Sequence, residues 1–158
     1  MRILTGLSGS LLVLALTLTG CASKDACTLL AAGDLEAAFG RPFGDGKPTH
    51  QEDTGADQCA WTSTDAAPGV TFSITVLSQD RLAGAFKTSG MTLAELFEQS
   101  KLAYPNAEAV DLGDAAYAAV GEVQVLDGGA WYSLSVHGAG DGAVGGLKEL
   151  AERVAGRP

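Results

Sequence analysis

From Val70 to Ser78 the chain reads VTFSITVLS, with Val70, Phe72, Ile74 and Val76 alternating against Thr71, Ser73 and Thr75. Successive side chains of an extended strand point to opposite faces, so a period of two predicts a strand whose apolar face is buried. A helix, repeating every 3.6 residues, would scatter these residues around its circumference. This stretch commits the chain to a sheet, and the remaining residues must supply its neighbours and its cover.

The neighbours are legible. QCAWTS, residues 58 to 63, reads as a preceding strand, and AAYAAV, EVQVLD and AWYSLSV, between Ala115 and Val136, read as three more. The last two meet through Asp127, Gly128 and Gly129, a strong hairpin signal. The breaker-rich residues 41 to 57 are expected to be loop with one edge strand. Cover comes from three helical segments. CTLLAAGDLEAAFG predicts a turn and a short helix that uses Leu30, Leu35 and Phe39 and stops at Gly40. Thr92 and Glu95 form a T-x-x-E capping box opening a helix with Leu93, Leu96, Phe97 and Leu102 on one side, ended by Pro105. LKELAERVAG predicts the last helix. The expected fold class is α+β: a largely antiparallel sheet covered by helices on one or both faces, an α/β sandwich.

The first twenty residues stand apart. Arg2 precedes the apolar run Ile3 to Gly20, whose densest part, Leu11 to Leu18, is too short for the roughly 20 apolar residues of a membrane span. A basic start, a Leu-rich centre and small residues behind are the layout of a secretory signal. Its end, Leu18, Thr19, Gly20 and Cys21, resembles a bacterial lipoprotein signal. That resemblance implies cleavage before Cys21 and attachment of diacylglycerol to its sulfur. Two or three acyl chains make a stable anchor where one does not. The expected organisation is a signal peptide over 1–20, a lipidated Cys21 and short tether over 21–26, and a single domain over 27–158. Ala22 rather than Asp follows Cys21, so the outer membrane is expected in a two-membrane cell and the cell membrane otherwise, on the exported face in both.

The formal charge of −9 becomes −10 once Arg2 leaves, and the remaining Lys and Arg are scattered from Lys24 to Arg157. Such a surface repels phosphate backbones, which argues against nucleic acid as a partner. With Cys21 spent on lipid, Cys27 and Cys59 are an even pair in an exported domain and are expected to form one disulfide. No CxxC spacing suggests a redox role. Trp61 shares a strand face with Cys59 and is expected to pack against that bridge. Trp131 alternates out of phase with Tyr132, Leu134 and Val136, so it and that trio must face opposite sides.

Few residues form a pattern that carries chemistry. GDGAVG, Gly140 to Gly145, satisfies G-x-G-x-x-G, but the dinucleotide fingerprint needs a further parallel strand with an acidic residue, which the residues to Pro158 do not supply. Gly138 to Gly146 is therefore expected to be a flexible turn. Neither His50 nor His137 sits in a metalloprotease motif, and no GxSxG elbow occurs. Asp111 and Asp114 flank Gly113 without the oxygen pattern of a calcium loop, and turn formation is the expected role. No catalytic residue, metal or cofactor is expected. The enzymatic alternative would be a small hydrolase or metal-dependent enzyme using His137 with Asp111 or Asp114.

Cys27, Leu29 and Leu30, the helix ending at Gly40, Cys59, Ala60 and Trp61, and Leu112 to Tyr117 occur in an order that resembles the domain-of-unknown-function family thirty-five fifty-eight, small bacterial lipoproteins common in actinobacteria. The likeness runs over nearly the whole chain after Cys21. It departs at Ala31, where such proteins often carry a Thr or Ser able to cap the first helix. The resemblance implies a Cys27–Cys59 disulfide and an α/β sandwich, and it transfers no functional residue. The function expected is a membrane-anchored, non-enzymatic binding or accessory module of the cell envelope, taking an envelope protein or a small molecule.

Overall fold

A computed structural model describes residues 25–65, 68–140 and 142–156. The signal peptide and Cys21 lie outside these residues, and no helix among the described residues is long and apolar enough to cross a membrane. The elements are α1 (Ala26–Leu29), α2 (Ala32–Phe39), β1 (Lys47–Gln51), β2 (Ala56–Thr62), β3 (Thr71–Ser78), a 3-10 turn (Gln79–Arg81), α3 (Gly84–Thr88), α4 (Leu93–Lys101), β4 (Glu108–Ala109), β5 (Ala115–Ala119), β6 (Glu122–Asp127), β7 (Ala130–His137) and α5 (Ala143–Ala155). Asp25, expected in the tether, caps α1 by accepting a hydrogen bond from the Cys27 N–H.

The seven strands form one sheet in the order β1-β2-β3-β7-β6-β5-β4, every pair antiparallel. It is two meanders joined where β3 pairs with β7, with α3 and α4 in the connection between them. The β6–β7 turn is the two residues Gly128 and Gly129, both at positive φ, the backbone that tight hairpins require.

Alternation sorts the side chains onto two faces. Phe72, Ile74 and Val76 of β3 join Tyr132, Leu134 and Val136 of β7 and Val123 and Val125 of β6 on one of them. That face packs against α1, α2 and α5 through Leu29, Leu35, Leu147, Leu150, Ala151 and Val154. The last four repeat at helical spacing, the stripe a helix needs to lie on a sheet, and each large side chain buried this way stabilises by about 1.5–3 kcal/mol. The opposite face presents Ala56, Leu77, Leu126 and Trp131 to α3 and α4, which contribute Phe86, Leu93 and Leu96. Both faces thus carry helices, and Trp131 lies edge-on to Phe97 of α4, ring centres 5.7 Å apart.

The Cys27–Cys59 disulfide joins α1 to β2. Trp61 is buried on the same face as Cys59, its ring 5.6 Å from that of Phe72. α4 begins with the expected capping box: Thr92 Oγ1 accepts from the Glu95 N–H, and Glu95 Oε2 accepts from the Thr92 N–H. At α2 the departure at Ala31 is met from the other side, since Asp34 Oδ2 accepts from the Ala31 N–H and Arg153 of α5 donates to Asp34.

Two expectations are corrected. Leu102 is 81% exposed and takes no part in the apolar side of α4, because the helix ends at Lys101 and the chain turns away before Pro105. Gly138 to Gly146 is not all turn, since α5 already begins at Ala143. Gly146 is a packing residue, for a Cβ there would come within 2.7 Å of the Ala38 carbonyl oxygen where α5 crosses α2. Bare backbone at that crossing lets the two helices approach closely.

Candidate functional site

On the second face α3 and α4 pack over Ala56, Leu77 and Trp131, and Phe97 and Ser100 of α4 reach Tyr117 of β5. Beyond the row Ala56, Leu77, Trp131 lie the small polar residues that alternate with the core: Thr75 opposite Ser133, then Ser73 opposite Ser135, with Gln58 beside Thr75. Between Phe86 of α3 and these strand residues a cleft of about 230 Å3 opens. Ala56, Leu77, Phe86 and Trp131 form its apolar walls, and Gln51, Thr54, Thr75 and Ser133 supply its polar lining.

The indole wall is held from behind. Trp131 Nε1 donates to Gln124 Oε1 (2.5 Å), and Gln124 Nε2 donates to Ser133 Oγ (2.9 Å) and to Glu122. Ser133 Oγ donates to Glu122 Oε1 (3.1 Å), whose other oxygen accepts from the Tyr104 hydroxyl (2.7 Å). Gln124 is buried, and leaving a buried amide without partners costs about 1–3 kcal/mol, so this chain fixes the ring in one orientation. The hydrogen bond to Glu122, reinforced by burial, pushes the Tyr104 phenol up to about 12. A spectrophotometric titration should therefore show a tyrosine ionising at about 12 that Tyr104→Phe deletes.

A second constellation sits at the β1–β2 edge. His50 and Asp57 face each other across the pair, with His50 Nδ1 and Asp57 Oδ1 2.8 Å apart. Arg81, from the 3-10 turn, bonds both oxygens of the same carboxylate. The three border an open depression of about 420 Å3, with Asp25, Pro48, Thr49 and Gln58 around it. Its one guanidinium is already spent on Asp57. The Arg81 hydrogen bond holds the Asp57 carboxyl below its ordinary value; burial opposes this and His50 adds to it.

A carboxyl with a depressed folded pKa adds stability that is complete above its unfolded value, near 3.8, and is lost as pH falls through the folded value. Asp57→Asn should cost about 1 kcal/mol at neutral pH and progressively less as pH falls below the unfolded value near 3.8, read from urea midpoints across that range.

The residues singled out from the sequence are dispersed, apart from the disulfide pair. His137 is exposed at the end of β7, opposite Thr71. Asp114 braces the β6–β7 hairpin by accepting from the Gly128 N–H (3.1 Å), and Asp111 is exposed nearby in sequence. Leu126, which accepts from the Asp114 N–H, pairs with Trp131, six residues along β7 from His137. At about 3.4 Å per residue that is roughly 20 Å, so His137 and Asp114 do not share a site. No group of three or more His, Cys, Asp or Glu that could hold a metal occurs among the described residues.

Sequence reasoning missed Gln124, Phe86 and the His50–Asp57 pair. Thr75 was visible as part of the polar alternation, but not as part of a cleft. No family model, curated protein or solved structure matches the chain.

Proposed function

We propose that the protein is an exported lipoprotein, anchored to the cell membrane or outer membrane through Cys21, that acts as a non-enzymatic binding module and holds a small molecule in the cleft beside Trp131. The cleft carries this reading. It combines aromatic walls with a few hydrogen-bonding groups, the usual makeup of a small-molecule site. Its polar groups are hydroxyls and an amide, which orient a ligand without exchanging protons near neutral pH. The likeness of Leu18 to Cys21 to a lipoprotein signal supports membrane attachment, and the four Cα–Cα steps from Cys21 to Asp25 allow a reach of only about 14 Å.

Native mass spectrometry of the mature chain, extracted from membranes in mild detergent, tests the reading. A retained small molecule is expected, and Thr75→Trp, which fills the cleft from a half-buried position, should lose it. A wild-type chain that emerges empty and takes nothing from an envelope extract overturns the proposal.

One observation favours a second reading, hydrolysis at the β1–β2 edge: His50 is oriented by a carboxylate, as a general base requires. Hydrolase activity lost in His50→Ala and kept in His137→Ala would establish it, and equal activity in wild type and His50→Ala would remove it.

A further inference from the structure

The cleft also specifies what kind of molecule it can hold, an inference that rests on the binding reading above. Every residue lining it is uncharged. A charged group entering it would give up water for hydroxyls, an amide and hydrocarbon, an unfavourable exchange. Its volume, about 230 Å3, is roughly that of seven or eight waters, which suits one ring with a substituent rather than a chain of rings.

The hydrogen-bonding capacity left over has a direction. Ser133 is engaged by both Gln124 and Glu122. Thr75 Oγ1 accepts from Gln58 Nε2 (3.3 Å), and its own hydroxyl proton has no acceptor among the described residues. Gln51 Oε1 accepts from the Thr54 hydroxyl (3.2 Å), which leaves the Gln51 NH2 group to donate. Two sets of donors therefore stand beside the walls made by Trp131, Leu77 and Phe86. α3, which carries Phe86, contains no buried residue, so that wall can adjust to its occupant.

We infer that the cleft binds a neutral, ring-sized molecule whose apolar face lies against Trp131 and Phe86 and whose carbonyl oxygen accepts hydrogen bonds from Thr75 and Gln51. An amide or ester of an aromatic or alicyclic group has this chemistry.

Four probes of similar size separate the requirements: benzamide, benzoate, benzamidinium and ethylbenzene. They are titrated into the chain from Ala22 to Pro158, which keeps the disulfide and both apolar cores, while the amide resonances of Thr75 and Ser133 and the Trp131 indole resonance are followed. Benzamide should bind in the millimolar range and both ions at least about tenfold more weakly. Thr75→Val, a change of similar shape at a half-buried strand position, should weaken benzamide about three- to tenfold and leave ethylbenzene within about twofold.

An ion that binds as well as benzamide, or a Thr75→Val chain with unchanged affinity for it, overturns the inference and leaves the cleft a binding site. If no probe moves the cleft resonances while the chain from membranes still carries a small molecule that Thr75→Trp loses, the ligand class is wrong and the binding reading stands. If that molecule is missing too, both fall.

Discussion

Replacing both bridge cysteines, Cys27→Ala with Cys59→Ala, should cost about 3 to 4 kcal/mol and lower the melting temperature by roughly 10 to 15 °C. The bridge spans 32 positions, and its main effect is on the unfolded chain, which gains the freedom of an open loop when the link is removed. The native side adds little strain of its own, since alanine at the fully buried Cys59 leaves no polar atom stranded. The urea dependence should also steepen, because the uncrosslinked denatured state exposes more surface. Paired urea and calorimetric unfolding of wild type and double variant measure both effects. A loss under about 1 kcal/mol would mean that the denatured chain holds α1 near β2 without the bond.

Gly55→Ala should be as damaging for a local reason. Gly55 turns the chain from β1 into β2 at φ +81°, a backbone that costs other residues about 1–2 kcal/mol. A Cβ there would also fall on the Arg81 carbonyl oxygen, so the backbone near Arg81 must shift, at about 1–3 kcal/mol more. The expected total is about 2 to 5 kcal/mol. Gly90→Ala is the control: its φ is +71°, yet a Cβ there meets nothing within 4 Å, so only the backbone cost of about 1–2 kcal/mol should appear. Urea midpoints for the two variants separate close approach from conformational strain. Equal losses would show that the Arg81 segment yields freely.

Gly55 also connects the two constellations. The same turn carries Gln51 and Thr54 into the cleft, while Arg81, against which Gly55 packs, clamps Asp57 at the edge depression. If Arg81 moves to admit the alanine, the Asp57 contribution above its unfolded pKa shrinks with it. Comparing the acid limb of Gly55→Ala with that of wild type would detect this coupling.

Much of the fold was written in local pattern. VTFSITVLS became β3, with Phe72, Ile74 and Val76 inward. Thr92 and Glu95 opened α4, and Gly128 with Gly129 closed the last hairpin. Cys27 and Cys59, left over once Cys21 was assigned to lipid, are bridged. Each of these rests on a preference expressed within a few residues or on counting a scarce residue type, so the chain's order alone was enough.

What the order of residues could not convey is which distant segments lie side by side. Trp131 had to face away from Leu134, but only the placement of α4 made its surroundings Phe97 and a cleft edge. Gly146 reads as loop in the sequence but lies in α5 where that helix meets Ala38 and Phe39 of α2, a contact between segments about a hundred residues apart. His50 met Asp57 because the β1–β2 register put them opposite, and Thr75 became a cleft residue because Phe86 of α3 and Trp131 of β7 stand beside it. Local periodicity determined which side chains share a face. The joining of the two meanders and the placement of the covering helices decided which parts of those faces were buried and where a cleft opened, because burial depends on packing between segments that the backbone does not hold together.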